Sequence, residues 1–412
     1  MKKIKYIDLF AGCGGLSKGF HLSGDFEDIA FVENWKPAID TFKENFPNSI
    51  LLGEDITKVT EEDIKKLNGN SIDLIVGSPP CQGFSIAGKR DTKDPRNSLF
   101  MDFVRMVNII KPKMFLMENV RGLVSMKTIT GEKVLDVILR EFEQIGYKVK
   151  YKVIDSANYG IPQHRHRIFF IGMKGDKNNF QFPKETHAEQ ERVLIDGEKI
   201  NKFKTVRHAI GDLESLESGE RSKTDPLHFA IEHVDRHIKW LKVTPEGKTA
   251  HENQNPEFRP PSGYPTTYKR FWWDRPSPAV TTCFSSISSQ NNVHPRDTRA
   301  MTIREASRLQ TFPDEFKFKN SIGSIRKQIG NAVPPQLAKV LADEIKKYLL
   351  EEELGITGRY YFTLKSGEHF DSTGTDDIII YIYIDGTLRH TWTIENVSPT
   401  QSKTLLLQNY RI

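Results

Sequence analysis

The 412 residues include 59 Lys and Arg against 54 Asp and Glu, a net charge of +5, with 37% hydrophobic and 27% charged residues. A chain of this length and ordinary composition buries a large core and calls for two or three structural units, which excludes wholesale disorder, a fibre and a lone small binding module. The slight positive balance permits a polyanionic partner without requiring one. Cys13, Cys81 and Cys283 lie far apart with no CxxC spacing, so neither a disulfide framework nor a thiolate zinc site is expected, and a reducing, cytoplasmic compartment fits. The apolar stretch Ile4 to Phe10 runs straight into a glycine loop, unlike a secretory signal, and no apolar run is long enough to span a membrane.

From Lys3 to about Phe182 short apolar runs alternate with amphipathic stretches. This pattern predicts a parallel sheet wrapped by helices. Strands are expected at KYIDLF, DIAFVE, SILLG, IDLIVG, KMFLMEN, YKVKYKVI and RIFFIGM, and helices at WKPAIDTFKENF and DVILREFEQIG. The last two strands leave no room for a helix between them and should form an antiparallel hairpin at the sheet edge. From about His187 to Ala279 the pattern gives way to mixed charge and to RPPSGYPTTYKRFWWDRPSP, which reads as a separate, loop-rich insert. Regular structure resumes at TIREASRLQ and at PPQLAKVLADEIKKYLLEEE, a helix opened by prolines and stopped near Gly355. The β-rich runs RYYFTLKSG, DIIIYIYIDGTLRHTWTI and KTLLLQNYRI then read as a small appended β domain. There is no internal repeat and no low-complexity tract.

In DLFAGCGGLSKGF, Gly12, Gly14 and Gly15 follow the first strand directly, where glycines let the backbone approach a ligand. Glu33, about twenty residues on, ends the second strand, where an acid accepts hydrogen bonds from ribose hydroxyls. Asp55 follows the third. Acids after successive strands of a doubly wound sheet suit an adenosine-containing ligand across their carboxyl ends. GSPPCQGFS places Cys81 at the same edge, behind two prolines that stiffen the turn, and its polar neighbours argue against a packing role. A free thiol is only a few per cent thiolate at neutral pH, so a nucleophile there needs a helper. Glu118 and Asn119 end the fifth strand on that edge.

These motifs resemble, in kind and in order over about the first 350 residues, those of the DNA cytosine-5 methyltransferases of bacterial restriction-modification systems. DLFAGCGG, VENW and GEDIT resemble the cofactor motifs I to III; GSPPCQGFS, MENV and QHRHR resemble motifs IV, VI and VIII; RPSPAVTT and GNAVPP resemble motifs IX and X. The resemblance implies a Rossmann-like methyltransferase sheet over residues 1–187, a target recognition domain over 188–280, a return to the catalytic domain over 281–354 and the β-rich extension over 355–412. It implies S-adenosylmethionine as methyl donor, S-adenosylhomocysteine as product, and duplex DNA as partner. The catalytic residues would be Cys81, Glu118, Arg165 and Arg167, the two arginines alternating along a strand toward the pyrimidine oxygen or the thiolate. Cofactor contacts would come from Phe10, Gly12, Cys13, Gly14, Gly15, Glu33, Asn34, Asp55, Ile56, Pro79, Asn331 and Ala332. DNA contacts would come from Gln82, Ser85, Lys89 and Arg90, with SIAGKRDTKDPRN as a closing loop, and from Lys269 and Arg270 with Arg275 beside them.

The implied chemistry adds Cys81 to carbon 6 of a flipped cytosine while Glu118 hydrogen-bonds ring nitrogen 3, so that carbon 5 becomes enamine-like. His164 and His166 share strand spacing but show no carboxylate or cysteine companion in the sequence, so no metal is assigned. Cys283 and the cluster Phe271, Trp272 and Trp273 read as packing residues, and Cys13 as a packing residue inside the cofactor loop. Two rivals remain: a transfer-RNA cytosine-5 methyltransferase, against which the long insert argues, and a catalytically silent DNA-binding regulator, against which the retained Cys81, Glu118 and arginines argue. The chain is expected to act as a monomer, with a companion restriction endonuclease as a possible partner and the nucleoid as its location.

Overall fold

The computed structural model describes residues 3–67, 71–80, 98–128, 131–193, 197–289, 292–353, 376–384 and 387–397. The chain divides into two compact units, Met1–Ile345 and Lys346–Ile412.

In the first unit, β1 (Ile4–Leu9), β2 (Phe26–Val32), β3 (Ile50–Gly53), β4 (Leu74–Gly77), β5 (Met114–Val120), β6 (Tyr147–Asp155) and β7 (His166–Lys174) form one sheet in the order β3-β2-β1-β4-β5-β7-β6. β1 to β5 are parallel, and β7 runs antiparallel to both β5 and β6. The expected hairpin is present, with its second strand turned inward: β7 lies between β5 and β6, and β6 takes the edge. Burial explains the choice. Ile168 to Ile171 in β7 are fully buried and suit an interior strand, whereas β6 alternates its exposure in the manner of an edge.

Helices cover the sheet with the apolar faces that the sequence period requires. The helix α1 (Gly15–Ser23) follows β1, α2 (Lys36–Asn45) follows β2, α3 (Ser98–Ile110) precedes β5, and α4 (Val134–Gln144) connects β5 to β6. In α4, Val134, Leu135, Ile138 and Phe142 are buried at helical spacing, and Phe142 stacks on Phe115 of β5 at 4.1 Å between ring centroids. Strand order reverses between β1 and β4. This is the switch point of a doubly wound sheet, where loops leaving adjacent strands diverge and open a crevice.

Residues 188–280 are loop-rich, with a three-stranded sheet of short strands and two short helices, Val206–Ile210 and Asp235–Lys242. Their apolar side chains are not segregated. Val206, Ile210, Phe229 and Phe271 share one buried cluster with Met301 and Ile303 and with Ile325 and Ile329, so the segment packs continuously against the chain that follows it. There α5 (Ile303–Leu309) opens on a capping box between Thr302 and Glu305, and α6 (Ile322–Asn331) is capped by Ser321. The helix α7 spans Pro335–Glu353.

In the second unit β8 (Asp376–Ile384) and β9 (Thr387–Val397) pair as an antiparallel hairpin. The expected strands at 359–367 and 403–412 lie outside the described residues. No described helix is long and apolar enough to cross a membrane.

Candidate active site

A cavity of about 550 Å³ lies at the carboxyl ends of β1, β2, β4 and β5. The loop after β1 forms one wall with Phe10, Ala11, Gly12 and Cys13, and α1 contributes Gly15 and Leu16. Two features of the sequence make this loop. Gly14 has φ +93, and a side chain there would meet the Phe46 ring at 2.4 Å; a Cβ on Gly15 would lie 2.5 Å from the Val333 carbonyl oxygen. The second close approach lets the last turns of α6 and the residues after it form the opposite wall, with Lys327, Gln328, Asn331, Ala332 and Val333. Phe10 itself takes φ +59, a left-handed conformation that costs a non-glycine residue about 1 kcal/mol or more.

Glu33, Asn34 and Trp35 line the cavity after β2. Glu33 Oε2 accepts from the Gly12 backbone N–H and Oε1 from the Trp35 N–H, both at 2.8 Å. The Asn34 backbone also hydrogen-bonds this carboxylate, and of its four or so lone-pair directions at least one is left for a ligand hydroxyl. Burial raises the Glu33 pKa, and the backbone hydrogen bonds oppose that rise. Beneath the loop, Asp8 is fully buried; Ser17 Oγ donates to its Oδ2 at 2.7 Å, Oδ1 has no partner, and burial pushes its carboxyl up to about 8. Cys13 is buried, and its thiol is pushed up to about 12, chiefly by burial, so it is an inert packing group that also lines the cavity.

The far side of the cavity carries the groups expected to react. Ser78, Pro79 and Pro80 line it after β4, and Glu118, Asn119 and Val120 at the carboxyl end of β5. Cys81 is bonded to Pro80 in the chain but lies outside the described residues, as do Gln82, Ser85, Lys89 and Arg90. Asn119 Nδ2 donates to the Pro79 carbonyl at 2.9 Å, fixing the backbone two residues ahead of the thiol. The buried Glu118 accepts from Arg167 Nε at 2.9 Å through Oε1, and Arg167 also lines the cavity.

Several expectations are corrected. Arg165 does not share the cavity with Arg167. It is buried, donating from Nη1 to the Val280 carbonyl and from Nη2 to the Gly330 carbonyl, both at 2.9 Å, while burial, with Arg167 nearby, lowers its pKa. The physical reason lies in the strand: β7 begins at His166, so Arg165 sits before it rather than in alternation with Arg167. Gln163 is equally structural, bonding Leu309, Gln310 and Val280. Asp55 faces solvent rather than the cavity, and its carboxylate caps the turn Ile56–Lys58 by accepting from Thr57. Ile56 is buried in the core under the sheet, and Gly14 lies behind the loop.

The basic aromatic segment divides in the same way. Arg270 is buried and donates to five backbone carbonyls, those of Leu241, Thr244, His294, Arg296 and Asp297, so it is committed to the fold and cannot meet a phosphate. Lys269 is half-buried. Phe271 is core as expected, but Trp272 is 39% exposed with Arg275 over its ring at 5.0 Å. Cys283, expected to pack, is exposed. His164 and His166 do have a carboxylate companion, Asp155, which accepts from His164 Nδ1 at 2.7 Å and lies 3.6 Å from His166 Nε2. Among the described residues no group of three or more His, Cys, Asp or Glu is arranged to hold a metal ion.

Sequence reasoning missed Trp35, Lys327 and Gln328. Trp35 adjoins Glu33 and Asn34, and Lys327 and Gln328 lie one helical turn before Asn331, so spacing alone pointed to them.

Comparison with known proteins places this arrangement. A family model described as C-5 cytosine-specific DNA methylase matches residues 4–347. The Type II methyltransferase M.DdeI of Desulfomicrobium norvegicum is 35% identical over 382 residues, covering 83% of this chain and 88% of that protein. The Type II methyltransferase M1.HphI of Haemophilus parahaemolyticus is 38% identical over 349 residues, covering 84% and 87%. Among solved structures, a DNA modification methyltransferase encoded within a prophage (E. coli) superposes with a TM-score of 0.64 at 26% identity, covering 85% of this chain and all of that one. Spodoptera frugiperda DNMT2 shares the fold, with a TM-score of 0.56 at 18% identity over 84% of this chain and 99% of that one.

Proposed function

Because the chain belongs to the C-5 cytosine-specific DNA methylase family and methylates carbon 5 of cytosine in DNA, we propose that the cavity between the glycine loop and the Glu118–Arg167 pair is where the donor and the target base meet. The family uses S-adenosylmethionine, and the residues present fit it. The cavity falls in the range of roughly 300–1,000 Å³ typical of small-molecule sites. The half-buried Glu33 carboxylate has lone-pair capacity for ribose hydroxyls, Trp35 and Leu16 offer apolar contact, and the Gly12 backbone approaches closely. Phe10, Gly12, Glu33, Asn34, Trp35, Asn331 and Ala332 would hold the cofactor. When bound, S-adenosylmethionine supplies a sulfonium methyl group as the electrophile for carbon 5 and leaves as S-adenosylhomocysteine.

Carbon 5 of cytosine is too weak a nucleophile until the ring is activated. Cys81 Sγ forms a bond to carbon 6, and the electron pair displaced into the ring is taken up at nitrogen 3, where Glu118 shares a proton. Carbon 5 is then enamine-like. After methylation, water takes the carbon 5 proton, and the pair left behind forms the carbon 5–carbon 6 double bond as Cys81 leaves carbon 6 with its bonding pair as thiolate; the proton shared at nitrogen 3 returns to Glu118 and aromaticity is restored. Arg167 holds Glu118 Oε1, so Oε2 would serve the base, and Asn119 holds the Pro79 carbonyl two residues before Cys81. Such a reaction requires the cytosine to leave the stacked duplex.

The observation that carries this reading is the Glu118–Arg167 pair in one cavity with the Gly12 loop and with Pro80, the residue bonded to Cys81. We take residues 188–280 as the target recognition domain, supported by their length and loop-rich structure. The Type II relatives support a restriction-modification setting. A companion endonuclease, a monomeric enzyme and a cytoplasmic location belong to the same proposal. Tritium transfer from labelled S-adenosylmethionine should label duplex DNA and not total RNA; label found only in RNA contradicts the choice of substrate.

A further inference from the structure

A second cavity, of about 380 Å³, opens between the helix Asp235–Lys242 and the turn around Pro256–Phe258. Arg236, Lys239 and Arg259 line it against a single carboxylate, Glu257, with Trp240 and Phe258 as apolar walls. None of the three cations forms an ion pair among the described residues. Gathering three like charges is unfavourable unless something anionic visits them.

The site is also built, not merely charged. Trp240 is buried, and the Arg236 guanidinium lies 5.5 Å over its ring. Arg259 donates from Nε to the Asn253 carbonyl at 2.5 Å and from Nη2 to the Gln254 carbonyl at 3.0 Å, so its fork is oriented before any ligand arrives. The buried Asn253 side chain ties the walls together, donating to the Trp240 carbonyl at 3.0 Å and to the Phe258 carbonyl at 2.7 Å. Lys242, exposed and one turn beyond Lys239, extends the positive stripe along the helix.

We propose that this cavity anchors a backbone phosphate of the duplex away from the target cytosine, with Arg259 and Lys239 on the phosphate oxygens, Arg236 beside them, and the apolar walls against the adjoining deoxyribose. The inference rests on the reading that duplex DNA is the substrate. It is a positioning contact: phosphate anchors fix register on DNA and carry no base identity.

The test measures binding of the full-length chain to fluorescently labelled duplex DNA by anisotropy across a salt series, beside methyl transfer at saturating DNA. The variant Arg236→Gln/Lys239→Gln should bind about tenfold more weakly at low salt and lose about one unit of the log–log salt slope, as expected for one phosphate released. Its turnover at saturating DNA and its affinity for S-adenosylmethionine should be unchanged. Glu257→Gln, which removes the repelling carboxylate, should bind more tightly. Wild-type affinity and slope in the double variant, or no tightening in Glu257→Gln, overturns the anchor while leaving the methyltransferase reading intact. A wild-type chain that binds no duplex overturns both.

Discussion

Asp8 is the residue whose titration reaches the whole fold. Burial raises its carboxyl from an ordinary value to about 8, so the native state keeps a proton that the unfolded chain has already lost. Its contribution is therefore fully present below about pH 4 and is lost as pH rises toward 8, opposite to a salt-bridged carboxylate. Thermal unfolding should show the wild-type melting temperature falling between pH 5 and pH 8, and Asp8→Asn should fall less; identical slopes would remove Asp8 from the balance. At the reacting edge, Glu118→Gln should reduce turnover about 10²- to 10⁴-fold, the range for a lost proton-sharing group, with binding of S-adenosylmethionine retained. A normal rate in single-turnover methylation would exclude the carboxyl from the chemistry. Side-chain type and strand position made the placement of Glu33 and Glu118 at one cavity legible in the sequence. Arg165 and Arg270 were misread because a guanidinium donates equally well to a phosphate or to a carbonyl, and only the folded chain places carbonyls within reach.

At the scale of elements, the seven strands of the sheet and both helices expected in its amino-terminal half are present where apolar periodicity placed them. The order of the last two was not legible, because a hairpin has the same sequence pattern whichever strand faces inward. The middle segment was read as separate because its polar loops hide the few apolar residues, Val206, Phe229 and Phe271, that join it to α5 and α6. A buried ionic cluster also escaped notice. Arg299 is fully buried between Asp297 and Glu305, and its Nη2 reaches each at 2.8 Å. Arg165 is the corresponding tie near the cavity, joining the start of β7 to the segments at Val280 and Gly330. Arg165→Gln should lower stability by about 3 kcal/mol in denaturant unfolding, since it frees two buried carbonyls from a charged donor. Unchanged stability with abolished turnover would instead mean that Arg165 meets the base.

At the scale of the molecule, a switch point in strand order, a glycine loop and a proline-stiffened turn bring Glu33, Glu118 and Arg167, the groups proposed to hold the donor and activate the base, to one crevice. The hairpin of β8 and β9 lies beyond the residues matched by the family model, which end at 347, so the matched chemistry does not account for it. What unites the molecule is the proposed covalent step at Cys81, and duplex DNA carrying 5-fluorocytosine probes it directly. Fluorine at carbon 5 cannot leave as a proton does, so the chain should stall as a denaturant-resistant adduct once S-adenosylmethionine is added. Peptide mass spectrometry should then place the modified base on Cys81, with no adduct from Cys81→Ser. Methylation of ordinary duplex DNA by a chain that gives no adduct, or an adduct mapped to another residue, would contradict nucleophilic catalysis at Cys81.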